Sequence, residues 1–427
     1  PDMMDPQESV DNYMDSARMD NNLAKKYRNK KLDGGTLLLD KIGEDIVQSY
    51  NDDQSSRASW LAENVGWLEM ATLIKKAKSF PWKNASNVRY PMLATAAMQF
   101  SARAYPALVP ADGRVVKAKV IPYDPSGELA TKAEHVARHM SYQVMCKMPQ
   151  WEEDMDKLLM TMSISGVAFK KTYFSAVDGH NVSHIVYPEN FIINYWAKSL
   201  DQAYRKGDIV YYNHNEVQEK TRNDEEFLDV DLKDFPPVPE MPQQPDKEGH
   251  SVPPSDKATP HQFYSCHTFW DLDNDGYEEP YIITVHLLSK KVVRIIARWD
   301  NKGVIRSENG KKIIKVVPVE YFTDFPFIPN PDGSIYALGF GRLLGPLNES
   351  ADTLINQLVD AGTLNNLQAG FIAKGLRLKM GIAPFAPGEW RAVPASIEDL
   401  NKGIVPLPSK EPSAVLMNLL QMLISSG

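Results

Sequence analysis

Three stretches of this chain set residue types at spacings that chemistry could use. In DLDNDG, Asp271, Asp273 and Asp275 match the first three ligand positions of a helix-flanked calcium loop, and Gly276 matches its turn residue. The twelfth position holds Ile282 where such a loop needs a bidentate Glu, and strand-like sequence follows. The alternative is a tight hairpin turn whose aspartates cap their own backbone, with weak cation binding left open. His135 and His139 stand one helical turn apart, but Val136 occupies the place of the catalytic Glu of HExxH. His180 and His184 flank a turn and strand start, while His261 and His267 bracket a strand. With no clustered Cys and no third convergent ligand, catalytic zinc is disfavoured. GFGRLLG, from Gly339 to Gly345, has the look of a phosphate loop, yet its spacing is not GxGxxG and a proline-rich turn precedes it. Gly339, Gly341 and Gly345 fit either close backbone packing or hinges that ease a helix into motion. GxSxG and GxxxxGK[ST] do not occur, so the sequence assigns no catalytic residue, cofactor or firm metal site and predicts no enzyme.

The elements that would carry these residues belong to a large mixed chain. Its 427 residues, 43% hydrophobic, support two or three cores. The formal charge of -8 is concentrated between Glu216 and Glu248, where eleven acidic residues face four basic ones. A tight nucleic-acid binder would show a basic stripe, so firm phosphate binding is not expected. Cys146 and Cys266 alone suit a reducing compartment, and no run of about eighteen apolar residues is present to cross a bilayer. The last helix stops without a clear cap, which points to further C-terminal sequence.

Residues 1–34 read as a polar arm. Helices are expected over 35–50, 54–79, 92–105, 128–147 and 150–164, with a strand from Val115 to Ile121. The turn SFPWKNASNVRYP, residues 79–91, combines Trp82, Lys83, Arg89 and Tyr90 and fits a contact loop or a packed structural turn equally well. AFKKTYF, VSHIVY and FIINYW read as strands, as do HQFYSCHTFW, PYIITVHLL, KVVRIIARW and KIIKVVPVEYF. Between them, residues 223–260 form an acidic insertion with eight prolines from Pro236 to Pro260. Strands or strapped loops then fill 370–411, where Lys374, Arg377 and Lys379 make a local basic patch, and a final helix starts near Pro412.

The segment from Leu338 to Ala369 is two-faced. Leu344, Leu347, Ala351, Leu354, Ile355 and Leu358 share one side of a helix, while Glu349, Asp352, Asn356 and Asp360 share the other, with Asn348 at the border. Pro346 is expected at the first turn of the continuous helix. The polar side suits water, as a channel lining or as an ordinary surface helix.

Taken in order, FPWKNASNVRYP, WEEDMDKLLMTMSISGVAFKKTYF, VYPENFIINYWAKSLDQA, DLDNDGYEEPYIITVH and YALGFGRLLGPLNESADTLINQLVDAG resemble the portal proteins of tailed bacteriophages, especially short-tailed and related phages. The resemblance extends through most of residues 54–425 and rests on order and local character. It implies an α+β portal fold with a mainly helical wing over 35–164 and an α+β wing, stem and clip region over 165–337. A stem or inner-wall helix would span 338–369, a strand and tunnel-loop region 370–411, and the start of an incomplete crown 412–427. It further implies a dodecameric ring at a capsid vertex, assembled in the host cytoplasm. Double-stranded DNA would pass through it, and terminase, the major capsid protein and tail or neck adaptors would dock on it, with no membrane insertion. On that resemblance Asn348, Glu349, Asp352, Asn356 and Asp360 would face the channel, Lys374, Arg377 and Lys379 would touch DNA transiently, and Gly339, Gly341 and Gly345 would act as hinges. A ring-forming neck, connector or baseplate protein and a metal-dependent nucleic-acid enzyme are the alternatives.

Overall fold

A computed structural model of the chain describes residues 22–32, 35–75, 85–121, 126–175, 179–222, 226–230, 259–307, 313–366, 370–372, 404–406 and 413–426. They fall into two units of a mixed α+β fold. One comprises Pro1–Ile74 with Leu93–Gly345, the other Lys75–Met92 with Pro346–Gly427.

The first unit opens with α1 (Ala24–Tyr27), α2 (Leu38–Ser56) and α3 (Ala58–Ala71). The end of the expected polar arm is part of the core: Leu23, Ala24 and Tyr27 are buried. Asn22 explains why a polar residue serves here. Its amide donates to the carbonyls of Glu226 and Val293 and accepts from the Ile295 N–H, each at 3.0 Å, so it satisfies the rim of a sheet. In α2, Leu38, Leu39, Ile42, Ile46 and Val47 make the buried stripe. Arg57 breaks α2 from α3, and its guanidinium holds the carbonyls of Pro188, Glu189 and Phe191 at 2.5–2.7 Å. The helix expected over 54–79 ends at Ala71, because Leu73 adopts a left-handed φ of 56°.

Next come α4 (Met92–Leu108), α5 (Glu128–Tyr142) and α6 (Trp151–Ser165), with a π-turn at Gln143–Lys147 after α5. Residues 115–121 join no sheet, contrary to the strand expected there; the Val116 N–H donates to the Ser141 hydroxyl at 3.1 Å instead. β-Branched residues alone do not make a strand when no neighbouring edge receives them.

The strands that follow are β1 (Val167–Ser175), β2 (His180–Val186), β3 (Phe191–Ile193) and β4 (Lys206–Tyr212). After α7 (His214–Arg222) come β5 (His261–Trp270), β6 (Glu279–His286), β7 (Lys291–Ala297), β8 (Val304–Arg306), β9 (Ile313–Val316) and β10 (Phe322–Pro326). The main sheet is an antiparallel meander in the order β3-β4-β5-β6-β7. A second sheet, β10-β1-β2, brings Phe322 beside β1, and β8 pairs β9. KIIKVVPVEYF, expected as one strand, is therefore two strands in two sheets. One core lies between the main sheet and α2, with Tyr264, Tyr281, Ile283 and Ile295 fully buried. A second gathers Phe169, Phe191 and Phe322, with Phe169 stacked on Phe191 at 4.0 Å, and a smaller one holds Trp67, Leu93, Ala97 and Ile164.

α8 (Phe340–Asn366) begins in the first unit and continues in the second. It starts six residues before the expected Pro346, which lies inside it. Proline lacks the N–H that would bond the Arg342 carbonyl, so the ladder is interrupted where the two units divide. The second unit adds β11 (Gly370–Ile372) paired with β12 (Ile404–Pro406), and α9 (Ala414–Ser426). Its apolar cluster contains Ala351, Leu354 and Leu420, with Tyr90, Ile355, Leu358, Leu416 and Leu423 packed around them.

Candidate functional site

The apolar face of α8 is placed as its periodicity predicts, but its polar face is not open. Asn348, Asp352, Asn356 and Asp360 are 1%, 5%, 7% and 8% exposed. An extended strap, residues 85–90, lies along three of them. Asp360 Oδ1 accepts the Ser86 N–H at 2.7 Å, and Asn356 Oδ1 accepts the Val88 N–H at 2.7 Å while its Nδ2 donates to the Val88 carbonyl at 3.0 Å. Asp352 Oδ1 accepts the Tyr90 N–H at 2.6 Å, and its Oδ2 pairs with the Arg89 guanidinium at 3.0 Å. Alternate residues of an extended chain point their N–H groups the same way, and helix positions four apart present acceptors at a matching interval. The helix thus binds the strap as a strand edge would. This corrects the expectation that Asn348, Asp352, Asn356 and Asp360 face an open channel; of the five, Glu349 alone is exposed. Beyond Pro346, Glu349, Thr353 and Gln357 form an exposed line on α8 with one carboxylate and no basic residue, while Arg342 is exposed before it. The stretch 79–91 was open between contact loop and packed turn, and its described part is a packed strap.

The three glycines expected as hinges lie in tight packing. A Cβ on Gly339 would collide with the backbone of Gly166 and Ile164, and one on Gly341 would stand 2.6 Å from the Trp67 ring. At Gly345 the same test gives 3.3 Å to Trp67. Their small size lets the start of α8 approach other backbone, so the packing alternative is the one displayed. Lys374, Arg377 and Lys379 lie outside the described residues, as do residues 231–258 of the acidic insertion.

The DLDNDG loop joins β5 to β6. Asp271 accepts the N–H groups of Asn274 at 2.6 Å and Gly276 at 3.0 Å, Asp273 accepts Asp275 N–H at 3.2 Å, and Asp275 accepts Tyr277 N–H at 2.7 Å. These are the backbone caps of a turn, with Asn274 and Gly276 both at positive φ. Among the described residues, Asp271, Asp273 and Asp275 are the one group of three acid, His or Cys side chains whose ligating atoms lie within 4.8 Å of each other. Glu279, at the start of β6, is buried beside them and was not singled out in the sequence. Burial first, then the charges of Asp273, Asp275 and Asp271, push its carboxyl up to about 8, and burial also raises Asp273.

Linkage fixes the direction of the pH effect at Glu279. The folded protein keeps a proton that the unfolded chain releases near the ordinary value of 4.5, so this stabilisation is present at low pH and declines as pH rises toward 8. Replacing Glu279→Gln is expected to leave stability near pH 5 unchanged and to raise it by on the order of 2 kcal/mol at pH 8.5, after discounting for loop solvation. Urea titrations of both proteins at several pH values measure the difference; a constant offset would contradict the assignment.

Among the described residues no histidine joins a group of three ligating side chains, although the His261 and His286 rings meet edge to face at 5.3 Å. His135 and His139 sit on the exposed α5, where the His139 ring contacts the Gln143 amide at 3.1 Å. His180 and His184 lie on β2, and burial lowers the His184 pKa. His261, His267 and His286 lie in the main sheet; burial drives His267 well below its ordinary value and His286 down to about 4. His267 packs on Phe322 with both ring nitrogens buried and unbonded, which favours a neutral structural ring. Buried ion pairs escape a reading by motif altogether. Lys171 bonds both oxygens of Asp208 at 2.8 and 2.9 Å, Arg205 grips Asp53 at 2.7 and 2.9 Å, and Lys206 pairs with Glu320. They pin β4 to its surroundings.

Comparison with protein-family models and with curated proteins finds no match for this chain.

Proposed function

We propose that the chain is a portal-type ring protein: a closed ring, dodecameric by analogy, that conducts double-stranded DNA at a capsid vertex and docks terminase, the major capsid protein and tail or neck adaptors. The ordered resemblance of its segments motivates the reading. The observation that carries it is the amount of apolar helix surface left uncovered. In α5, Leu129, Val136 and Met140 are 41%, 54% and 45% exposed, and in α9, Val415 and Met422 are 73% and 62% exposed. Apolar helix faces of this kind mark association surfaces, and closed symmetry covers them on every copy. Beyond Pro346 the exposed line of Glu349, Thr353 and Gln357 carries no cation, and Arg342 is the one exposed basic residue of α8 among the described residues, a sparse phosphate contact that suits DNA that must slide.

The burial of Asp352, Asn356 and Asp360 under the strap favours a second reading, a ring-forming neck, connector or baseplate protein with no DNA passing along α8. A substitution at Glu349 separates the two, because this side chain is exposed and its change leaves the strap alone. Glu349→Lys rings are expected to assemble normally and to package or eject DNA several-fold more slowly, each new lysine adding ion-release affinity for phosphate. Normal packaging and ejection by particles carrying Glu349→Lys would favour the connector reading.

A further inference from the structure

A cleft of about 600 Å³ opens beside the turn after β3, lined in part by Asp52, Asn194, Tyr195, Trp196, Tyr204 and Arg205. We propose that it binds the guanidinium group of an arginine presented by a partner protein. The proposal stands apart from the ring reading, since failure of ring assembly leaves the cleft intact.

Two aromatic rings stand at its mouth with no packing of their own to justify their exposure. Trp196 is 83% and Tyr195 69% exposed, and their rings meet edge to face at 5.1 Å. They are held on a fixed turn: the Asn194 N–H donates to the Arg205 carbonyl at 3.0 Å, and the Ala197 N–H donates to the Asn194 carbonyl at 3.1 Å. Exposed Trp and Tyr on a rigid frame are the side chains that dominate protein interfaces, and arginine is their frequent counterpart.

The polar groups of the cleft specify a cation. Arg205 is consumed by its two-pronged pair with Asp53, so the cleft holds two carboxylates against one guanidinium. The second carboxylate, on Asp52, is exposed and bonded by the neutral amide of Gln48 at 3.0 Å. Asn194 Oδ1 is a buried acceptor without a donor. The Tyr204 hydroxyl donates to Glu278 at 2.5 Å, which adds negative potential at the rim and enriches the Tyr204 ring. The cleft therefore offers a carboxylate and aromatic faces to an incoming group. A planar group with several N–H donors meets both at once, whereas an ammonium cannot stack.

The test titrates the full chain with Nα-acetylarginine amide, its uncharged isostere Nα-acetylcitrulline amide and Nα-acetyllysine amide, read by ligand NMR line broadening. Arginine amide is expected to bind saturably with Kd on the order of 1–10 mM, as a single side chain can. Citrulline amide should bind about tenfold more weakly, and Asp52→Asn and Trp196→Ala should each weaken arginine amide by about five- to tenfold, with Trp196→Phe keeping most of the affinity. Circular dichroism checks that the variants fold. Equal binding of arginine and citrulline amides, lysine amide binding as tightly as arginine amide, or unchanged binding by Trp196→Ala or by Asp52→Asn would overturn the proposal.

Discussion

Gly166→Ala is expected to destabilise the first unit by about 3–5 kcal/mol, among the largest single-residue effects in this chain. Gly166 ends α6 at φ 91° and ψ -23°, a left-handed conformation that costs a residue with a Cβ about 1–2 kcal/mol. The rest of the effect comes from contact. A Cβ at this position would strike the Ala337 carbonyl and the Gly339 backbone, which cannot swing aside as a side-chain tip can. The same backbone is tied in place, because the Gly166 carbonyl accepts the Phe327 N–H at 2.8 Å. Gly127 supplies the control. It has φ 72° but open space where a Cβ would go, so Gly127→Ala should cost only the conformational part, about 1–2 kcal/mol. Urea midpoints for both variants give the comparison, and equal shifts would contradict the close packing of Gly166 against Gly339.

Asp352→Ala is expected to release the strap from α8 at a cost of about 3–4 kcal/mol. One oxygen of this buried carboxylate accepts the Tyr90 N–H and the other holds the Arg89 guanidinium, so alanine leaves a donor and a cation without their partner. Asp352→Asn keeps an acceptor for Tyr90 and should lose about half as much. At the exposed Glu349, alanine should change stability by less than about 0.5 kcal/mol. Amide hydrogen exchange reads the effect locally: protection of Val88 and Tyr90 should fall about a hundredfold in Asp352→Ala. Unchanged protection there would mean that Asn356, Asp360 and the apolar contacts hold the strap without Asp352. The same geometry makes Asp352→Lys unsuitable as a probe of DNA transit, since it would unhook the strap first.

What could be read in the sequence depended on whether a pattern had one physical cause. Strands β5, β6 and β7 were legible because long β-branched and aromatic runs bounded by turns have few other uses. Strand β4 was missed: it opens with Lys206, Gly207 and Asp208, and their burial depends on Glu320 and Lys171, far away in sequence. The apolar face of α8 was legible and its polar face was not. Asp and Asn side chains accept hydrogen from water or from a neighbouring backbone with equal chemistry, so periodicity cannot tell a wet face from one that binds an extended strap. Glycines pose the same ambiguity. Gly339 and Gly341 look alike as hinges and as contact points until Gly166 and Trp67 are seen beside them. In the DLDNDG loop the turn was readable from Asp and Gly spacing, whereas Glu279 gained its perturbed carboxyl only when β6 brought it under the loop.

The central claim, a closed ring around a DNA-sized pore, is tested most directly by electron microscopy of the purified full chain viewed along its symmetry axis, with native mass measurement of the same sample. The portal reading predicts a single closed species, twelvefold by analogy, with the α5 faces covered by neighbouring copies and a pore wide enough for B-form DNA. A monomer, or a ring whose centre is closed to a duplex, would contradict it.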